Sequence, residues 1–207
     1  MRALRNLMLI AAAGLALAAC GKSGSDALST IRADEYALGS ATAPVTMIEY
    51  ASPSCSHCAQ FNNEVFPAFK AKYIDTGQVR YVLREITTPP TDFAAASFLL
   101  ARCAGPEKYH AVLDAVFRSQ SAIFQSGDFG GGLRQIANSA GMTDEEFRTC
   151  VTDEKAVEAL NKRLETNSRE GKIDSTPTFF FNGVKATGVI SPEKLDTLVA
   201  QAKAAKK

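Results

Sequence analysis

The chain has 207 residues, 46% of them hydrophobic, with 23 Lys and Arg against 22 Asp and Glu and a formal net charge of +1. This suffices for one packed domain, and so even a charge balance excludes the basic field that nucleic-acid binding needs.

Arg2 and Arg5 precede a small and apolar run from Leu7 to Ala19, and no acidic residue appears before Asp26. A run of this length is too short for a permanent membrane span and predicts a signal peptide over residues 1–19. Its end, Leu17-Ala18-Ala19-Cys20-Gly21, resembles the lipobox of bacterial lipoproteins, in which the Cys becomes the acylated first residue. Cleavage after Ala16-Leu17-Ala18 is the ordinary alternative. Of five cysteines, lipidation of Cys20 leaves an even four, Cys55, Cys58, Cys103 and Cys150. An acylated Cys20 would tether a water-soluble domain to a membrane surface. Residues 20–34, rich in Ser, Gly, Asp and Ala, read as a flexible tether, and 35–207 as one domain.

Val45 to Ala51 reads as a strand running into Ser52-Pro53-Ser54 and then a helix from Cys55 to about Ile74, bent at Pro67. Gly77 ends that helix, and Gln78 to Ile86 alternates as a second strand, completing a βαβ unit. From about 91 to 171 only helical patterns follow: Phe93 to Ala104, Pro106 to about Gln120, Leu133 to Ala140, Thr143 to Val151 and Asp153 to Arg169. Thr143-Asp144-Glu145-Glu146 is a capping box, Pro106 reads as a first-turn proline, and Ser126 to Gly132 reads as a flexible glycine-rich connection or a frayed helix start. Strands return at Thr178 to Phe181 and Val184 to Thr187 around an Asn182-Gly183 turn, and Ser191-Pro192 starts a last helix. The expected fold is α/β, in the order βαβ, helical insertion, ββα.

Cys55-Ser56-His57-Cys58 falls at the strand-to-helix junction. A thiol at a helix N-terminus feels unpaired N–H donors and the positive end of the dipole, so Cys55 is the expected attacking thiolate and Cys58, one turn further in, the resolving thiol. His57 can add a donor or a charge that favours the thiolate. A stabilised thiolate stabilises the reduced pair, and the disulfide then becomes an oxidant. A purely structural disulfide would close too small a loop to stabilise much, and zinc would lack further ligands near the pair. Two thiolates could hold Cu(I) in a non-enzymatic module, although no methionine cluster accompanies them.

These motifs together resemble the DsbA family of bacterial thiol oxidoreductases, a thioredoxin-like fold with a helical insertion. The resemblance runs from about Leu38 to Lys203 and rests on Ala43-Pro44-Val45, Glu49-Tyr50-Ala51-Ser52, the Cys55-Ser56-His57-Cys58 motif, Phe61 and Ser175-Thr176-Pro177-Thr178-Phe179-Phe180. Ser56 stands where the family often has Pro. The resemblance implies that Thr176-Pro177 forms a cis-proline loop against the active-site sulfurs, where the Thr176 backbone pairs with an extended substrate. It also implies that Glu49 lies beneath the pair and exchanges protons with Cys58. A solvated acid at a strand edge is the alternative for Glu49, and Arg84 is its expected counter-charge. Cys103 and Cys150 are expected to pair in a structural or potential-tuning disulfide, as in some relatives, with two separate buried thiols as the alternative. His110 is expected to be packed or exposed without a chemical role.

The resemblance further implies exported proteins with free thiols as substrates, a membrane quinone-linked oxidase as the reoxidising partner, and a place in the bacterial cell envelope facing the periplasm. Isomerase or reductase activity would use the same residues. No cofactor, no metal and no nucleic acid is expected. Without a visible dimerisation segment, a monomer is expected.

Overall fold

The computed structural model describes residues 27–205. The signal peptide and Cys20 lie outside the described residues.

Five strands form one mixed sheet: β1 (Ala37–Leu38), β2 (Val45–Ala51), β3 (Val79–Glu85), β4 (Thr178–Phe181) and β5 (Val184–Thr187), in the order β1-β3-β2-β4-β5. Only the β2–β3 pair is parallel, and the helix between those strands supplies the crossover that parallel pairing requires. β2 therefore sits at the centre of the sheet, and the residues that follow it are held from both sides.

Alternation along β2 divides the core. Met47 and Ala51 join a large cluster with the helical insertion and the long helices, while Ile48 and Tyr50 join Val82, Ile86 and Phe180 on the opposite face. Leu28, Ile31 and Ile173 cover that smaller face. The stretch read as a tether is thus packed from Ala27 onward: Arg84, with a fully buried side chain, donates to the carbonyls of Ala27 and Thr30 and to Glu35.

Helix α1 covers residues 56–74. It holds α-turns at Ser56–Gln60 and Phe66–Phe69 and wide π-turns at Phe61–Val65 and Lys70–Ile74. Pro67 has no N–H to give, and the helix widens on either side of it instead of ending.

The insertion is α2 (Thr91–Cys103), α3 (Tyr109–Ser126), α4 (Phe129–Ser139), α5 (Asp144–Thr152) and α6 (Glu154–Gly171), and α7 (Pro192–Ala204) closes the chain. One expectation is corrected here. Pro106 lies in the turn before α3, whose first turn begins at Tyr109, because Gly105 (φ +89°) ends the previous segment and its carbonyl accepts from Tyr109 N–H. Of the two readings of 126–132 the helix start holds: Gly130, Gly131 and Gly132 belong to α4, because the Asp128 carboxylate accepts from Gly131 N–H and starts the helix there. The capping box at Thr143 and Glu146, the Asn182-Gly183 turn and the Ser191 cap are present as read.

Candidate active site

The turn 52–55 leaves the central strand directly beneath the N-terminus of α1 and is pinned on two sides. Ser52 Oγ accepts from Thr88 N–H at 3.0 Å, and Ser54 Oγ donates to Thr88 O at 2.5 Å. From the insertion, Gln120 Nε2 donates to the carbonyls of Pro53 (2.6 Å) and Cys55 (3.1 Å). Cys55 is then fixed as the N-cap of α1, with extended backbone, and Cys58 N–H donates to its Sγ at 3.3 Å.

Cys55 is half-buried and Cys58 fully buried, and both carry free sulfurs in this structure. The Cys55 thiol is lowered from 9.0 to about 5. The hydrogen bond from the Cys58 thiol is the largest cause; Thr176 and the backbone N–H groups of Cys58 and His57 add to it, against the opposing effect of burial. When protonated, Cys55 donates to Thr176 O at 3.4 Å, which places the Thr176-Pro177 loop, with its cis peptide bond, against the reactive sulfur. Burial pushes the Cys58 thiol strongly up, and hydrogen bonding to Cys55 with the charges of Cys55 and Glu49 pushes it further the same way. His57 is exposed, and its contribution to Cys55 comes through its backbone N–H.

Glu49 is 3% exposed on the central strand, which excludes a solvated edge acid. Its Oε2 accepts from Tyr81 O–H at 2.7 Å. Burial raises its carboxyl from 4.5 to about 8, against the lowering effect of that hydrogen bond. Arg84 is not its partner. Arg84 is in register with Tyr50, on the opposite face of the sheet, and donates to Tyr50 Oη and Glu35.

Cys103 and Cys150 are joined in a disulfide with Cα atoms 6.2 Å apart, linking α2 to α5. Beside it, Glu85 is buried and held by Arg102 (2.5 Å), Arg163 (2.7 Å) and Tyr109 (3.2 Å), which locks the insertion onto the end of β3. His110 is largely buried, with Nε2 2.8 Å from Tyr36 O.

Tyr81 and Gln120 escaped the sequence reading. Gln120 could have been found as the one amide on the apolar stripe of α3 formed by Val112, Leu113, Val116, Phe117 and Ile123. Tyr81 could have been found as the hydroxyl two residues from Leu83, the residue in register with Glu49 on the adjacent strand.

The family model described as thioredoxin matches residues 32–201. A Rickettsia bellii chain named as a protein-disulfide oxidoreductase is 34% identical over 159 residues, which are 75% of this chain and 61% of that one. A Bacillus subtilis chain named disulfide bond formation protein D is 25% identical over 153 residues, 70% of this chain and 66% of that one. The chain spans about three fifths of the length of the Rickettsia relatives it matches. The crystal structure of alpha-DsbA1 from Wolbachia pipientis superposes with a TM-score of 0.79 at 26% identity, covering 89% of this chain and 98% of that one. With the Cys55/Cys58 pair at its helix start, the Thr176-Pro177 loop against it and a helical insertion between β3 and β4, the chain belongs to the thioredoxin family, on its DsbA-like side.

Proposed function

We propose that the protein is a thiol-disulfide oxidoreductase that introduces disulfides into exported proteins through Cys55 and Cys58. The observation that carries this reading is the contrast within the pair: Cys55 is half-open and its thiol lowered to about 5, while Cys58 is buried and its thiol raised. A substrate thiolate attacks Cys55 Sγ of the oxidised pair, the Cys55–Cys58 bond breaks, and the electron pair leaves on Cys58. A second substrate thiolate then attacks the substrate sulfur of the mixed disulfide and releases Cys55 as a thiolate. The substrate has lost two electrons and the pair has gained them.

The stabilised thiolate argues for this direction. At pH 7 a thiol lowered from 9.0 to about 5 gains about 2.7 kcal/mol of thiolate stabilisation, or about 60 mV towards oxidation. Solvent on the open side of Cys55 screens this to roughly half. In this reading Thr176 and Pro177 receive the substrate backbone beside Cys55, as strand addition would. Glu49 supplies the proton that the departing Cys58 needs, and exposed His57 faces the incoming thiol. A membrane quinone-linked oxidase accepts the two electrons from the reduced pair, and acylated Cys20 holds the domain at the periplasmic face of a membrane. Among the described residues no helix is long and apolar enough to cross a membrane.

Trapping tests the assignment. The Cys58→Ser variant should accumulate mixed disulfides between Cys55 and substrate proteins, and the Cys55→Ser variant should not; accumulation in the second alone would overturn it. Detergent partition and the mass of the mature N-terminus test the anchor. An unmodified Cys20, or a chain that begins elsewhere, would sink it.

A further inference from the structure

Glu49 is an acid buried in the centre of the sheet without a cation among the groups it interacts with, which are Tyr81, Cys55 and Cys58. Cys55 and Cys58 from the start of α1 and Tyr81 from β3 act on it or feel its charge, and Tyr109 and His110 from α3 lie against Tyr81. Phe179 from β4 is in register with Glu49, and Phe181 lies one pair further along the same face. Burial lowers the pKa of His110, which favours its neutral form, and burial raises Tyr109. The carboxylate that forms when Glu49 gives up its proton therefore relies on one dipole in place of a counter-charge. That dipole is the Tyr81 hydroxyl, 2.7 Å from Oε2 and held by a ring wedged between Phe66 (4.7 Å) and His110 (5.7 Å). Among the described residues no hydrogen bond falls on Glu49 Oε1.

We propose that Tyr81 is the positioning residue for proton exchange between Glu49 and Cys58: its O–H occupies Oε2, leaves Oε1 to carry the proton, and sets how readily that proton is released. This rests on the proposed exchange reaction. When substrate sulfur bonds to Cys55 and the Cys55–Cys58 bond breaks, the electron pair moves onto Cys58 Sγ. The proton on Glu49 Oε1 passes to that sulfur, and Tyr81 O–H holds the carboxylate left behind. On reoxidation Glu49 takes the proton back as Cys58 becomes the nucleophile.

The test follows the Glu49 carboxyl directly, by isotope-edited infrared spectroscopy across pH, in the full folded protein. Tyr81→Phe should move the Glu49 titration upward by about one pH unit or more, the share of a hydrogen bond to a charged group. A fluorinated tyrosine placed at position 81, a stronger donor, should move it downward. The pH profile for reduction of the oxidised protein by a small thiol should move with the titration in both proteins, and in the Glu49→Gln background neither substitution at 81 should move it. A Tyr81→Phe protein that melts lower while Glu49 titrates unmoved would assign Tyr81 to packing alone and overturn the proposal. A rate profile that shifts equally in the Glu49→Gln background would overturn it as well. The titration needs no substrate, so a failure of mixed-disulfide trapping would sink the proposed exchange reaction without changing this readout.

Discussion

Titrating Cys55 should make the reduced protein's stability depend on pH in a way that the oxidised protein's does not. The folded thiol sits at about 5 against 9.0 ordinarily, so the group is depressed in the folded state. Its contribution is then fully present above about pH 9, and it disappears as pH falls through 5. At pH 7 the folded thiol is ionised and the unfolded one is protonated, a difference of about two units or about 2.7 kcal/mol. Screening at a half-open sulfur cuts this to roughly half. Glu49 contributes with the opposite sign, because its carboxyl is raised to about 8 and its share of the stability is lost as pH climbs from 4.5 towards that value. It is present in both redox forms and largely cancels in their difference. Denaturant unfolding of the reduced and oxidised proteins should therefore give stability curves that diverge by about 1.3–2.7 kcal/mol between pH 4 and pH 7, the reduced form gaining. Thiolate ultraviolet absorbance, followed on the same samples, should show Cys55 ionising in that range. Parallel curves, with Cys55 ionising near 9, would refute the reasoning.

Other consequences follow from the same contacts. Gln120→Ala leaves the Pro53 and Cys55 carbonyls without their amide donor and should cost about 1–3 kcal/mol while raising the Cys55 pKa; an unchanged thiolate titration would remove Gln120 from the site. Glu85→Ala leaves the partly buried Arg102 and Arg163 without their carboxylate, and chemical unfolding should record a loss of about 3 kcal/mol; a loss below about 1 kcal/mol would show that the insertion is held by packing alone. Cys103→Ser opens a cross-link between residues 47 apart in sequence and should lower stability by about 2–4 kcal/mol, with Cys55–Cys58 exchange retained; lost exchange would mean that the bridge reaches the site.

Much of this site was legible because its signals are local. A strand ending in Ser52-Pro53-Ser54 and a helix opening on two cysteines are short-range patterns, and the resemblance added the Thr176-Pro177 loop. The helical insertion was read for the same reason, although α4 starts earlier than its apolar residues suggested because Asp128 caps a run of glycines. What stayed hidden depends on register and long-range side-chain contact. Arg84 was expected to meet Glu49, but it aligns with Tyr50, and one step along a strand changes the face a side chain occupies. Tyr81 and Gln120 reach the site from positions 32 and 65 residues away from Glu49 and Cys55. The two-residue strand β1 and the packing of Leu28 and Ile31 carry no periodic signal at all.

The most direct test of the central claim is the redox potential of the Cys55/Cys58 pair, measured at pH 7 by equilibration with glutathione. An oxidase with a thiolate this well stabilised should come to equilibrium on the oxidising side of about −200 mV. A value near the roughly −270 mV of thioredoxin would make the protein a reductant and contradict the proposed direction of electron flow.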